Sequence, residues 1–242
     1  MNYFEYRENE LWCEEVPVAE IAEQVGTPFY LYSIRTLKRH FDVFDSAFNA
    51  LPHIVCFSVK ANSNLAILKM FINEGAGVDI VSGGELYRAL RAGVDPGKVV
   101  YSGVGKREDE IRFALESDIL MFNVESSQEL EVINSCAEAM KKKARISLRV
   151  NPDVDPLTHP HISTGLKKNK FGIDIERSLD EYRRAVKLKY VDIVGVDCHI
   201  GSQITEVSPF ADALDRLKEL IFLLRRDGLE TVSYTHLTLQ TK

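Results

Sequence analysis

HIVCFSVK, residues 53–60, is a short apolar run rich in β-branched residues that ends on a lysine. Apolar side chains at both odd and even positions suit a strand buried on both faces, as in a parallel sheet covered by helices. Just before it, Leu37, Phe41, Phe44 and Phe48 recur with a helical period and give one apolar stripe. After it the alternation continues. Helices are expected near 64–74, 84–92, 126–140, 176–188 and 208–227, and strands at 77–82, 98–102, 118–123, 144–150 and 190–198. Gly93 and Gly228 stand where left-handed caps close helices, and Ser126 with Glu129 has the spacing of a capping box.

Strand, helix, strand, repeated this often, means parallel strands joined by crossover helices. A doubly wound sheet and a barrel both satisfy the pattern. The barrel is favoured because Lys60, Asp79, Arg149 and His199 fall at the C-terminal ends of separate strands, where barrels assemble their sites. Counting PFYLY (28–32) first and LETVS (229–233) last gives eight strands; without PFYLY there are seven.

The 242 residues are 45% hydrophobic and 27% charged, the balance of a globular chain with a sizeable core. A net charge of -6 argues against nucleic-acid binding, which needs a basic face. The basic run Lys141, Lys142, Lys143 reads as a solvated helix end beside the favourable pole of its dipole. Cys13, Cys56, Cys136 and Cys198 show no CxxC spacing, so reduced thiols in a cytoplasmic protein are expected. The polar, acidic N-terminus does not read as a signal peptide, and no apolar run has the length of a membrane span.

Lys60 ends an apolar strand. A lysine desolvated at a barrel mouth can be a neutral amine nucleophile, as Schiff-base chemistry requires; a lysine in that position can also simply extend into water. His199, in GVDCHIGSQ (195–203), ends another strand. Its ring could stack on a flat cofactor, with Ser202 and nearby amides on a phosphate, or be an ordinary hydrogen-bonded residue. The two together in one barrel mouth favour a site. Gly103, Gly105 and Lys106 lack the spacing of a phosphate loop and read as a turn. His159 and His161 have no partner of zinc-site spacing, so no metal is expected. Gly83, Gly84 and Glu85 open a helix, where packing and capping suffice; a backbone contact to a cofactor is the alternative.

FSVKAN (57–62), VDIVSGGEL (78–86), SLRVNP (147–152), HPHISTG with KFGI between 159 and 173, and GVDCHIGSQ, in this order, closely resemble the diaminopimelate decarboxylases. The resemblance runs from about residue 5 to about 231. It implies an α/β fold, the (β/α)8 TIM-type barrel of the alanine-racemase-like enzymes, and pyridoxal 5'-phosphate as cofactor. Residue by residue, Lys60 matches the lysine that forms the internal aldimine, and His199 the histidine stacked on the ring. Gly201 and Ser202 match the phosphate turn; Asp79 and Arg149 match polar residues around the cofactor. The loop His159–Lys170 matches a mobile segment beside the site.

The implied activity is decarboxylation of meso-diaminopimelate to L-lysine by a cytoplasmic homodimer. Decarboxylases of arginine, ornithine or carboxynorspermidine, and a non-catalytic cofactor-binding barrel, stand as alternatives. Three parts follow: 1–33, which in the family joins a β domain; 34–231, a partial cofactor-binding barrel; and 232–242, a divergent tail. The family's glycine-rich phosphate loop, eighth strand and β domain have no match after Gly228, so a barrel incomplete at its C-terminus, inactive alone, is expected.

Overall fold

The computed structural model describes residues 2–154, 171–202 and 204–229, and the backbone of 233–235. The chain begins with a three-stranded antiparallel meander: β1 (Phe4–Arg7), β2 (Glu10–Cys13) and β3 (Val16–Pro17). Glu8 and Asn9, both at positive φ, form the two-residue turn between β1 and β2, where primed turns match strand twist. Helix α1 (Val18–Val25) follows, and Gly26 at φ 80° ends it. PFYLY joins no strand, as expected from the seven-strand count.

Helix α2 (Ile34–Ser46) is capped by the Ser33 hydroxyl, which accepts from the Thr36 N–H. Glu14, just past β2, accepts from the Ser33 hydroxyl and the Arg35 N–H, both at 2.8 Å. An acidic group at the positive pole of a helix is stabilised there, and these donors hold the Glu14 carboxyl below its ordinary range. This contact ties the meander to the helix.

The main sheet then builds in chain order. Strand β4 (Cys56–Ser58) leads to α3 (Leu65–Asn73), β5 (Gly77–Ile80), α4 (Gly83–Ala92), β6 (Val99–Tyr101) and α5 (Glu108–Glu116). Next come β7 (Met121–Val124), α6 (Ser127–Met140), β8 (Ala144–Asn151), β9 (Ile173–Asp174), α7 (Ile175–Ala185), β10 (Val191–Asp197), α8 (Ser208–Arg226) and β11 (Ser233–Thr235). The strand order β4-β5-β6-β7-β8-β10-β11 is parallel throughout, and β9 pairs with the end of β8. Seven strands in sequence order with helices between them are an incomplete α/β barrel.

Every residue of β5, β6 and β7 is buried, the signature of strands covered on both faces. One continuous core runs through Val78, Ile80, Leu86, Phe122, Leu130, Ile146, Leu148 and Leu217. A smaller cluster under α2 and α3 contains Phe41, Ile67, Phe71 and Ala76, with Phe57 stacked on Phe71 at 4.3 Å.

Three elements depart from expectation. Helix α5 lies where the sequence pattern gives no helix: its buried stripe is only Ile111, Ala114 and Leu115, and the first turn is filled by Glu108, Asp109 and Glu110. The N-terminal meander was also missed. The last strand starts at Ser233, four residues later than LETVS suggested, because Leu229 is consumed in capping α8: its N–H donates to Leu224 O while Gly228 takes φ 80°. The Ser233–Thr235 backbone pairs with Gly195–Asp197, so this strand lies within the stretch 232–242.

The expected capping box is half formed. Ser126 accepts from the Glu129 N–H, but the Glu129 carboxylate turns to the Glu125 N–H and Lys106. Lys142 reaches the exposed carbonyls ending α5, Leu115 O at 2.7 Å, and pairs with Asp118, so this member of the basic run caps a neighbouring helix. All four cysteines are free thiols, and three are buried. No described helix is long and apolar enough to cross a membrane.

Candidate active site

Parallel strands place all their C-terminal ends at one end of the barrel, and the expected residues gather there in two levels. Asp79 and Arg149 lie inside their strands, one and two residues before the end. Asp79 is level with Ser58, and Arg149 with Asp197. Lys60 stands two residues beyond Ser58 in a single 3-10 turn, and His199 two residues beyond Asp197.

The lower level is a hydrogen-bonded row. The Asp79 carboxylate accepts from Ser102 at 2.6 Å and from Ser58 at 3.4 Å. Asn123 donates to Ser102 at 3.0 Å, and Ser147 donates to the Asn123 carbonyl at 2.5 Å. All five residues are buried. Two residues further along the same strands, on the same face because side chains alternate, Glu125 and Arg149 form the upper level. Their ion pair is 2.8 Å long, and the same Glu125 oxygen accepts from the Gly103 N–H. The Arg149 guanidinium lies over the Phe171 ring, and Asn151 donates to the Phe171 carbonyl, which fastens the start of β9 to the barrel mouth.

Two lysines follow strand ends at this mouth, and only one is committed. The Lys106 side chain is fully buried and donates to Gly103 O, Asn123 O and the Glu129 carboxylate, at 2.7, 2.7 and 2.6 Å. It locks two loops together, which confirms the turn reading of Gly103–Lys106. Lys60 is exposed and makes no hydrogen bond or ion pair to another described residue. Fully buried Val59 anchors the turn beneath it. Glu85 shares this neighbourhood: burial, aided by the Asp79 charge, raises its carboxyl pKa, while Lys60 opposes the rise.

His199 is half-buried after β10, and Gly201, at φ 148°, turns the chain so that Ser202 follows at the surface of the mouth. His159, His161 and the rest of the loop to Lys170 lie outside the described residues. No group of three metal-ligating side chains occurs among the described residues. Glu125, Ser58, Ser102, Asn123 and Ser147 were not singled out from sequence, and Glu85 was read only as part of a helix start. The signal was there, since Asn123 and Glu125, like Ser147 and Arg149, are polar residues two apart in otherwise apolar strands.

Pyridoxal phosphate asks for a free amine, a flat packing surface and a turn rich in phosphate donors. Lys60, His199 and Gly201–Ser202 are of these types at one barrel end. Glu125 Oε2, Arg149 Nε and Asn151 Oδ1 are buried without a hydrogen-bond partner among the described residues, so polar capacity remains at this mouth. The residues present fit the group.

Comparison with known proteins agrees with this geometry. The sequence profile described as pyridoxal-dependent decarboxylase, pyridoxal binding domain, matches residues 34–234. A diaminopimelate decarboxylase of Haemophilus influenzae is 54% identical over 229 residues, 95% of this chain and 55% of the relative. The chain thus spans about half the length of such curated relatives. Among solved structures, diaminopimelate decarboxylase from Helicobacter pylori complexed with L-lysine superposes with a TM-score of 0.86 at 41% identity, covering 88% of this chain and 54% of that one. The M. jannaschii enzyme in co-complex with L-lysine gives 0.88 at 38%, covering 94% and 54%. With five-sixths of its length matched and its uncommitted lysine at the barrel mouth, this chain belongs to the pyridoxal-dependent decarboxylases, through their pyridoxal-binding domain.

Proposed function

We propose that this chain is the cofactor-binding barrel of a cytoplasmic, homodimeric enzyme that decarboxylates meso-diaminopimelate to L-lysine. The observation that carries the reading is Lys60: an accessible amine with no hydrogen-bond or ion-pair partner among the described residues, two residues past the Ser58 that pairs with Asp79, in a family defined by pyridoxal binding. The names of the relatives, and the L-lysine held by two of the neighbours, support the substrate.

Pyridoxal phosphate, when bound, supplies an electron sink for the bond to the departing carboxylate. The chain's own residues provide the setting. Lys60 offers the amine that attaches the cofactor, and His199 a planar surface against its ring. Gly201 and Ser202 present a backbone amide and a hydroxyl to its phosphate. Asp79 and the Glu125–Arg149 pair fix the charge around it.

The test of the site is reduction with borohydride after incubation with pyridoxal phosphate, followed by mass mapping. The label is expected on Lys60 and absent in Lys60→Ala; a label retained by that variant at the same stoichiometry removes Lys60 from the role. The substrate is read from carbon dioxide release by a chimaera in which the second half of the H. influenzae relative completes residues 1–231. Meso-diaminopimelate is expected to be consumed in preference to arginine and ornithine.

A further inference from the structure

The row Ser58, Asp79, Ser102, Asn123, Ser147 spans five successive strands or strand ends, and its hydrogen bonds have one direction. Asn123 presents Nδ2 to Ser102 and Oδ1 to Ser147. An amide nitrogen only donates and an amide oxygen only accepts. Ser147 must therefore donate and Ser102 must accept, which leaves the Ser102 proton for Asp79 Oδ1 at 2.6 Å. Ser58 donates to the other carboxylate oxygen. All four hydrogen bonds of the row run toward Asp79. The amide in the middle does not pass protons on, so the row is a fixed array of dipoles and no proton wire.

Such a row costs desolvation that apolar side chains of the same size would not, and hydrogen bonds in series polarise one another in a low dielectric. It ends on a carboxylate level with the residue two before Lys60. We infer that Ser102, Asn123 and Ser147 are positioning residues that orient the Asp79 carboxylate in the cofactor site. The inference rests on the reading of Lys60 and Asp79 as parts of that site.

A double-mutant cycle on cofactor uptake tests it. The half-saturating pyridoxal phosphate concentration for borohydride-trapped label on Lys60 is measured in the 242-residue chain and in Ser102→Ala, Ser147→Ala and Asp79→Ala, singly and in pairs. Loss of the bond to Asp79 in Ser102→Ala should weaken uptake about tenfold, and loss of the remote bond in Ser147→Ala about threefold. Neither should weaken it further once Asp79 is alanine, because the effect travels through that carboxylate. Effects that add in full overturn the inference while leaving the site intact. If Asp79→Ala does not fold, Ser102→Thr and Ser102→Val decide. The two are alike in shape, and only threonine keeps the donor: uptake near wild type in Thr with a tenfold loss in Val supports the inference, and equal uptake overturns it. Absence of label on Lys60 in the unsubstituted chain overturns the reading of the site and the inference with it.

Discussion

Lys60 and Lys106 are the same residue type at the mouth of one barrel, and their partners separate them. Lys106 has given its donors to two carbonyls and a carboxylate, while Lys60 has kept its own. Removing Lys106 strands the Glu129 carboxylate in the interior; Lys106→Met should lower stability by about 3–5 kcal/mol in urea unfolding. Cofactor label on Lys60 should persist in whatever fraction stays folded. Lys60→Met should reverse the pattern, with stability within about 0.5 kcal/mol of the parent and no label. Cys56 offers a pH test. The residue is only half-buried, but a Cβ at Gly77 would lie 2.8 Å from its sulfur, so the thiol itself is packed in. Burial, reinforced by the Asp79 charge, pushes that thiol from 9.0 up to about 12. Alkylation of Cys56 at pH 8 should therefore be about a thousandfold slower in the native protein than in the denatured one. The sign for stability follows: between pH 9 and about 12 the native thiol keeps a proton that the unfolded chain has released, so this contribution is intact below pH 9 and lost as pH rises through that window.

Helix ends at the barrel mouth reuse one device. Ser82 and Ser126 each accept from the N–H of a glutamate three residues on, and that glutamate, Glu85 or Glu129, accepts from the N–H of the residue before the serine. Ser126→Ala should cost about 1 kcal/mol in thermal or urea unfolding. Gly77→Ala in β5 should cost more, about 2 kcal/mol or above, because its Cβ would meet Lys98 O and the Cys56 sulfur with backbone on one side. The alternation of β4 through α8 was legible in sequence because each element buries a continuous or periodic apolar set. Ser33's cap, the N-terminal meander and α5 were not, since their stability comes from tertiary acceptors such as Glu14 or from a stripe of only three residues. Site legibility divides the same way. Lys60, Asp79, Arg149 and His199 announced themselves as polar residues near strand ends, and the fold brings them to one barrel end. Ser102, Asn123 and Glu125 gain meaning only when neighbouring strands come into register, which no single segment encodes.

At the scale of the molecule, the parallel sheet is open. Its path runs from β4 to β11, and among the described residues neither terminal strand has a partner on its outer side. A barrel removes edges only by closing, and an open edge presents unpaired N–H and C=O groups to any other chain. Apolar side chains reinforce the hazard: Leu51 and Ile54, in the segment leading into β4, are exposed, as are Tyr30 before α2 and Ile34 at its start. The residues here that ought to be covered are apolar, so association should resist added salt, which screens only charge contacts. The 242-residue chain is therefore expected to self-associate increasingly with concentration, as read by light scattering at micromolar protein. Ile54→Lys places a charge two residues before β4 at a position that is already 39% exposed, and lysines near an edge strand oppose strand addition. It should shift the scattering onset to higher concentration while leaving far-UV circular dichroism unchanged. A monodisperse monomer at every concentration, unaffected by Ile54→Lys, would show that the edge strands are covered and that the open sheet does not govern the behaviour of this chain.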